Sequence, residues 1–254
     1  MTYAAHRALA RSKQRAEDLL LNILPPSIAE RLGNKDAATL ESEGTDIADR
    51  FNEATILFTD IVGFTDIAET TQAADLVRLL DRVFREFDAL SEKHGVEKIK
   101  TIGDAYMAVS GLPERDPDHA QNVADMALDM IHTIARLRTL SGVALKIRIG
   151  INTGPVVAGV IGRKRFIYDL WGDAVNTASR MESHGTPDTI QTSEATYTIL
   201  RDAYRSEPLG DIDIKGKGRM PVWRLTGRRD NRPNVADDPL PGPAAPQQPP
   251  ANTL

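Results

Sequence analysis

The sequence lacks cysteine, a long apolar run and a long basic run, and each absence excludes a class of protein. Without cysteine there are no disulfides, thiolate metal sites or cysteine nucleophiles, which fits a reducing cytoplasm. No run approaches the roughly 18 apolar residues of a membrane span, and the N-terminus lacks a signal-peptide pattern. A net charge of −5 without basic clusters argues against nucleic acid as a partner. The remaining composition is that of an ordinary globular protein.

Residues 1–32 are predicted to form an N-terminal linker or signalling helix. Residues 4–24 contain no glycine or proline and place apolar side chains at roughly heptad spacing, a weak coiled-coil pattern. The basic residues between positions 6 and 15 fit a solvated helix face or, alternatively, a membrane-proximal cytoplasmic segment. We therefore expect a cytoplasmic protein, or the cytoplasmic portion of a membrane-anchored protein, with room for an upstream sensor or membrane region. Residues 33–52 are predicted to be a polar connection.

Residues 53–227 alternate between strand-like and helical patterns, which predicts an α+β domain. The order of elements favours a mainly antiparallel sheet with packed helices. Gly103-Asp104 is typical of a two-residue hairpin loop, and Gly95 ends a long amphipathic helix that starts near Ala73. Residues 145–151 and 156–161 are predicted as two strands separated by a turn at Gly154-Pro155. Residues 228–254 hold seven of the fifteen prolines, which predicts a disordered tail.

Two aspartates, Asp60 and Asp104, end apolar strand-like runs, where a short acidic side chain contributes nothing to a core. Either one alone is accounted for by ordinary turn chemistry. As a pair on rigid strands they form the oxygen-rich setting that hard divalent cations require. The sequence therefore indicates a metal site for Mg²⁺ or a similar ion.

Three polar residues, Asp173, Asn176 and Arg180, share one helical face because they are spaced by three and four residues. The simplest interpretation of such a face is a solvated hydrogen-bonding ridge. The planar guanidinium of an arginine also matches phosphoryl oxygens, however, so a phosphate-binding face is the functional alternative.

Several segments together resemble the class III nucleotidyl cyclases, the catalytic domain of adenylyl and guanylyl cyclases. The resemblance covers roughly residues 50–226 and rests on three motifs: Phe58-Thr-Asp-Ile-Val-Gly-Phe64, Lys100-Thr-Ile-Gly-Asp-Ala-Tyr106 and Trp171-Gly-Asp-Ala-Val-Asn-Thr-Ala-Ser-Arg-Met181. It implies a ferredoxin-like palm with an extra α/β subdomain and an N-terminal linker helix.

For the metal site, the resemblance implies that Asp60 and Asp104 hold two divalent ions, Mg²⁺ or Mn²⁺. The backbone carbonyl of Ile61 would assist them. Gly63 and Phe64 open the following turn, where backbone N–H groups could meet phosphate oxygens.

For the nucleotide, the resemblance implies that Asn176 orients the ribose and that Arg180 offsets charge developing on the α-phosphoryl group. Lys100 and Asp169 would recognise the base, because a lysine donor and an aspartate acceptor complement the N1 and N6 positions of adenine. Lys215, between glycine and isoleucine in a turn-like segment, would neutralise the triphosphate; a solvated turn lysine is the alternative.

These roles imply an adenylyl cyclase that converts ATP to 3′,5′-cyclic AMP and pyrophosphate at sites shared across a homodimer. A guanylyl cyclase is the nearest alternative, and Lys100 and Asp169 disfavour it. A catalytically silent nucleotide-sensing or dimerisation module is the alternative from another class. A diguanylate cyclase would carry a Gly-Gly-Asp/Glu-Glu-Phe motif, which the sequence lacks.

Overall fold

A computed structural model describes residues 24–34, 47–162, 166–214 and 216–229 of the chain. Within these ranges the chain forms eight strands and six helices. The strands are β1 (Ala48–Ile61), β2 (Glu97–Ile102), β3 (Ala105–Ser110), β4 (Ile147–Ile161), β5 (Ile167–Trp171), β6 (Thr189–Ser193), β7 (Tyr204–Ile214) and β8 (Gly218–Arg228). The helices are α1 (Pro26–Gly33), α2 (Phe64–Thr70), α3 (Ala73–His94), α4 (His119–Ser141), α5 (Asp173–Ser183) and α6 (Glu194–Leu200).

The strands form one sheet in the order β2-β3-β1-β4-β6-β8-β7, and β5 pairs with β4. Every pairing is antiparallel except that of β4 with β6. The predicted α+β class with a mainly antiparallel sheet is therefore confirmed.

Alternation along β1 divides the core into two layers. Leu57 and Ile61 face the long helices α3 and α4, whose buried side chains include Phe87 and Met130. Ile56 faces the opposite side, where α1 and α5 cover the sheet. Because side chains of successive strand residues point to opposite faces, the even-numbered positions of this part of β1, including Asp60, lie on the α5 side.

Strand β4 is continuous through Gly154-Pro155, so the predicted turn there is wrong. A proline cannot donate a ladder hydrogen bond and normally interrupts a central strand. Here the β1–β4 register jumps from Phe51, opposite Val156, to Ala54, opposite Gly154. Pro155 therefore lies opposite a bulge in β1, where no partner needs its missing N–H.

Strand β1 begins at Ala48, within the segment predicted as a polar connection, because its first residues pair with β4 beyond the bulge. Strand β8 ends at Arg228, one residue past the predicted domain end, and Arg228 Nε donates to Asp125 Oδ1 at 2.7 Å. The amphipathic piece after Pro25 is a helix as predicted, and Ile28 and Leu32 are buried. Of the helix predicted over residues 4–24, residues 4–23 lie outside the described residues, as does the tail after residue 229.

None of the helices in the described ranges is long and apolar enough to cross a membrane.

Candidate functional site

The two aspartates singled out by sequence lie together at one end of the sheet. Asp60 is near the end of β1, and Asp104 is the second residue of the β2–β3 hairpin loop, in which Gly103 has φ of 65°. The pairing of Thr59 with Tyr106 brings the hairpin beside the end of β1. Burial, followed by the hydrogen bond to Asp60 and its charge, raises the pKa of Asp104 to about 6, although backbone hydrogen bonds at Asp104 and Ile61 oppose the shift.

A third carboxylate and one arginine complete this cluster. Arg148 is opposite Asp60 in the β1–β4 register, and its Nη2 donates to Asp60 Oδ2 at 2.9 Å. The Nε of Arg148 lies 3.1 Å from Glu182 Oε1, at the C-terminal end of α5. Burial is the main cause that raises the pKa of Glu182 to about 6; Arg148 opposes the shift and Asp60 adds to it.

These residues fit a divalent cation. Three carboxylates, those of Asp60, Asp104 and Glu182, lie near a single guanidinium, so negative charge is in excess. Burial first, and the neighbouring carboxylates second, raise the pKa values of Asp104 and Glu182. Carboxylate and backbone carbonyl oxygens are the ligands that Mg²⁺ and Mn²⁺ prefer. Over the described ranges no three His, Asp or Glu side chains are grouped closely enough to hold an ion unaided. The fit therefore requires further oxygens, such as those of phosphate and water.

The helical face formed by Asn176 and Arg180 lies away from the aspartate cluster. Both side chains are exposed on α5 and line a pocket of about 450 Å³. Its other wall is formed by Ile214, Gly216 and Lys217, at the turn between β7 and the start of β8. Neither Asp60 nor Asp104 lines this pocket.

Lys217 connects this turn to α5. Its Nζ contacts the carboxylate of Asp173 and lies 2.5 Å from Thr177 Oγ1. Asp173 therefore anchors the turn next to Lys215, a residue that itself lies outside the described ranges. The sequence predicts Asp173 only as a member of the polar face that it shares with Asn176 and Arg180.

Lys100 and Asp169 form a third group. Lys100 Nζ donates to Asp169 Oδ2 at 2.5 Å, and both side chains are partly buried. They come from β2 and β5, which are 69 residues apart in the sequence. A donor and an acceptor thus lie side by side, and their contact with adenine stays a prediction.

Gly63 and Phe64 follow the end of β1 after one intervening residue, Val62. Gly63 has φ of 70°, in the left-handed region that glycine adopts without strain, and it precedes the short helix α2. The ring of Phe64 packs partly against the core beside α3 and α4. The predicted phosphate contact of this turn stays a prediction.

Sequence reasoning missed Arg148 and Glu182 as members of the cluster. Only the pairing register of β1 and β4 places Arg148 opposite Asp60, and the sequence does not specify that register. Glu182 comes directly after the Trp171–Met181 motif, and no local signal marks its contact with β4.

The sequence profile of the family described as the adenylate and guanylate cyclase catalytic domain matches residues 47–227. An adenylate cyclase of Mycobacterium tuberculosis is 49% identical over 238 residues, which cover 94% of this chain. Those residues cover 51% of the relative, so the chain spans about half of its length.

Solved structures are similar over most of the chain. The guanylate cyclase domain of RhGC from Catenaria anguillulae, in complex with GTP, has 41% identity and a TM-score of 0.69, covering 71% of this chain and 100% of that one. The adenylyl cyclase CyaB from P. aeruginosa has 30% identity and a TM-score of 0.69, covering 74% of this chain and 98% of that one. The resemblance noted from the motifs is confirmed.

Proposed function

Because the chain belongs to the family of adenylyl and guanylyl cyclase catalytic domains, we propose that it is an adenylyl cyclase that converts ATP to 3′,5′-cyclic AMP and pyrophosphate. The ribose 3′-oxygen forms a bond to the α-phosphorus while the bond from that phosphorus to the α–β bridging oxygen breaks. Pyrophosphate leaves with the electron pair, and the 3′-hydroxyl proton is lost to solvent or to a basic oxygen nearby. No covalent enzyme intermediate is needed.

Asp60 and Asp104, together with the Ile61 carbonyl, hold the two divalent ions in this proposal. The proposal is supported by the closeness of the two carboxylates. Because like charges repel, the pair favours a proton or a cation between them. When bound, Mg²⁺ or Mn²⁺ ions supply Lewis acidity, lowering the pKa of the ribose hydroxyl and offsetting triphosphate charge. Arg148 neutralises part of the carboxylate charge and fixes the orientation of Asp60.

Asn176 and Arg180 act on the reacting end of the nucleotide. Asn176 orients the ribose, and Arg180 places its guanidinium against the α-phosphoryl oxygens as charge develops there. Lys215 neutralises the triphosphate from the β7–β8 turn. The open pocket shared by α5 and this turn supports the proposal, because exposed cationic and amide groups already line it.

We propose that each site is completed by a second copy of the chain. The pocket lined by Asn176 and Arg180 includes neither metal aspartate, so each chain contributes the aspartates to one site and α5 to the other. Three large apolar side chains on β4 and β5 support a homodimer because they are exposed in the single chain: Ile161, Ile167 and Trp171. A sensor or membrane region elsewhere in the full-length protein stays part of the prediction.

The observation that carries the choice of ATP is the Lys100–Asp169 pair. The lysine donates where adenine N1 accepts, and the aspartate accepts where the adenine N6 amino group donates. Guanine instead carries a donor at N1 and an acceptor at O6, so neither group would be paired. A buried mismatch would cost roughly 1–3 kcal/mol at each contact. The guanylyl cyclase alternative has its support in the similar domain that binds GTP.

The experiment that tests the proposal measures cyclic nucleotide formed from ATP and from GTP, first with Mn²⁺ and then with Mg²⁺. We expect a higher kcat/KM for ATP with both ions. Preference for GTP would favour the guanylyl cyclase, and no product from either nucleotide with a folded, dimeric protein would favour a silent binding module.

A further inference from the structure

Helix α5, which carries Asn176 and Arg180, lies unusually close to strand β4. Three alternate residues of β4 face the helix: Gly150, Asn152 and Gly154. A Cβ atom added at Gly150 would lie 2.0 Å from the backbone nitrogen of Glu182, and one at Gly154 would lie 3.1 Å from Ala174 Cβ. Near its C-terminal end the backbone of the helix therefore rests directly on the strand at Gly150, and near its N-terminal end the Ala174 side chain packs against Gly154.

Two buried amide side chains hold the helix at these ends. Asn152 Nδ2 donates to the carbonyl oxygen of Ala174 at 2.9 Å, in the first turn of α5. Gln191 Nε2, from β6, donates to the carbonyl oxygen of Met181 at 3.1 Å, in the last turn. Both side chains are at least nine-tenths buried, with exposures of 5% and 3%.

The orientation of the Asn152 amide is itself fixed. Ser193 Oγ donates to Asn152 Oδ1 at 2.6 Å, so the oxygen points to β6 and the NH₂ group points to α5. Ser193 lies 3.4 Å from Thr196 Oγ1. This hydroxyl is 3.0 Å from Thr153 Oγ1, on the opposite face of β4. Of these hydroxyls only that of Ser193 bonds the amide directly, so this hydrogen bond fixes the orientation of Asn152, whereas Thr153 is separated from the amide by two further hydroxyls.

We propose that Asn152 and Gln191 are positioning residues that set the height and rotation of α5 on the sheet and thereby aim Asn176 and Arg180. The proposal rests on the proposed function, because it assigns the two amides an effect on turnover. The two accepting carbonyls belong to residues 174 and 181, which bracket positions 176 and 180. Neither amide reaches the exposed face of the helix, so each acts only through the backbone of α5.

The consequence of losing an amide follows from the geometry. The carbonyl of Ala174 keeps its intrahelical partner, so the helix stays folded when the Asn152 donor is lost. The carbonyl of Met181, in the last turn, has no such partner and would depend on Gln191 or water. What changes is the placement of the helix on β4, and a misplacement of about 1 Å can cost about a hundredfold in rate. Because Arg180 stabilises charge that develops only in the transition state, the loss should appear in kcat rather than in KM.

The test compares Asn152→Leu with Thr153→Val. Each substitution replaces a buried hydrogen-bonding side chain on β4 with an apolar one of similar size, but only Asn152 touches α5. We expect Asn152→Leu to lower kcat for ATP about tenfold or more while KM changes less than about threefold. Thr153→Val should lower the melting temperature without a selective loss of kcat.

A double-mutant cycle separates positioning from general destabilisation. If Asn152 acts through Arg180, adding Asn152→Leu to an Arg180→Ala enzyme should cause much less than the tenfold loss seen alone. The proposal would be overturned if the fold-loss of kcat in the double mutant equalled the product of the two single-mutant losses. Equal kcat for Asn152→Leu and Thr153→Val would also overturn it. Gln191→Met provides the same comparison at the other end of α5 if Asn152→Leu does not fold.

A second readout does not depend on turnover. Hydrogen exchange of the α5 amides should be faster by about tenfold in Asn152→Leu than in the wild type, because a less firmly seated helix opens more often. Thr153→Val should leave the exchange of α5 unchanged relative to the rest of the sheet. Equal exchange in both variants would refute the seating of α5 by Asn152, whereas a wild-type protein that forms no cyclic nucleotide would refute the proposed function.

Discussion

The substitution Gly150→Ala should separate helix α5 from strand β4. The added Cβ would lie 2.0 Å from Glu182 N, 2.6 Å from Ala178 O and 2.6 Å from Glu182 Cα. Ordinary contact begins near 3.4 Å, so the shortest approach must lengthen by 3.4 − 2.0 = 1.4 Å. All three obstructing atoms belong to the backbone, so no side-chain rotation relieves the clash and the helix itself must move.

Both stability and turnover should respond to this displacement. Overpacking of a tight interior costs typically 1–3 kcal/mol, and a backbone clash of this size lies at the upper end, about 3 kcal/mol. For a domain of this size that corresponds to a fall in melting temperature of roughly 6–12 °C. Because Asn176 and Arg180 move with the helix, kcat for cyclic AMP formation should fall about a hundredfold.

A matched control is Gly142→Ala, at the C-terminal end of α4. Gly142 has φ of 69°, and an added Cβ would meet nothing within 4 Å. Its cost is therefore conformational only, roughly 1–2 kcal/mol, with kcat unchanged. Thermal unfolding and steady-state assays at a temperature where every variant is folded decide the outcome. A Gly150→Ala protein with the melting temperature and kcat of the control would refute the close seating of α5 on β4.

Base selection, metal binding and the shared site each give a further expected outcome. Replacing Lys100 with Glu and Asp169 with Cys should lower the ATP-to-GTP ratio of kcat/KM by about tenfold to a hundredfold; an unchanged ratio would mean that neither residue faces the base. Because the native pKa of Asp104, about 6, is raised above its unfolded value, metal-free stability should fall as pH rises from about 4 to 6. Mn²⁺ should therefore raise the wild-type melting temperature at about pH 7.5 but not at about pH 5, and at neither pH in Asp104→Asn; an equal rise in the variant would argue against the metal site. Equal mixing of Asp104→Ala and Arg180→Ala chains should restore about a quarter of wild-type activity, because half of the dimers would be mixed with one intact site each. Mixed dimers confirmed by mass without such rescue would exclude shared sites.

Local chemistry in the sequence was sufficient for the hairpin, the long helix and the polar face of α5. Gly103 adopts the positive φ that a two-residue loop requires, and Gly95 ends α3 with φ of 63°. These features depend on neighbouring residues only, which is why turn chemistry and helical periodicity predict them. The motifs around Asp60 and Asp104 likewise identified the family.

Long-range pairing decided the features that the sequence left open or predicted wrongly. Pro155 stays within β4 because a bulge on β1 lies opposite it. Arg148 meets Asp60 because the register of two distant strands aligns them.

The sequence by itself determined the local turns and helices and the family to which the chain belongs, and it predicted which side chains carry the chemistry. The tertiary structure alone decided that α5 is seated on Gly150 and held by Asn152, and that Arg148 and Glu182 join the aspartates. The physical reason is the distance along the sequence over which each interaction acts. Turn and helix preferences are set within a few residues, whereas a strand register or a helix height is fixed only when the whole core closes and its buried polar groups find their partners.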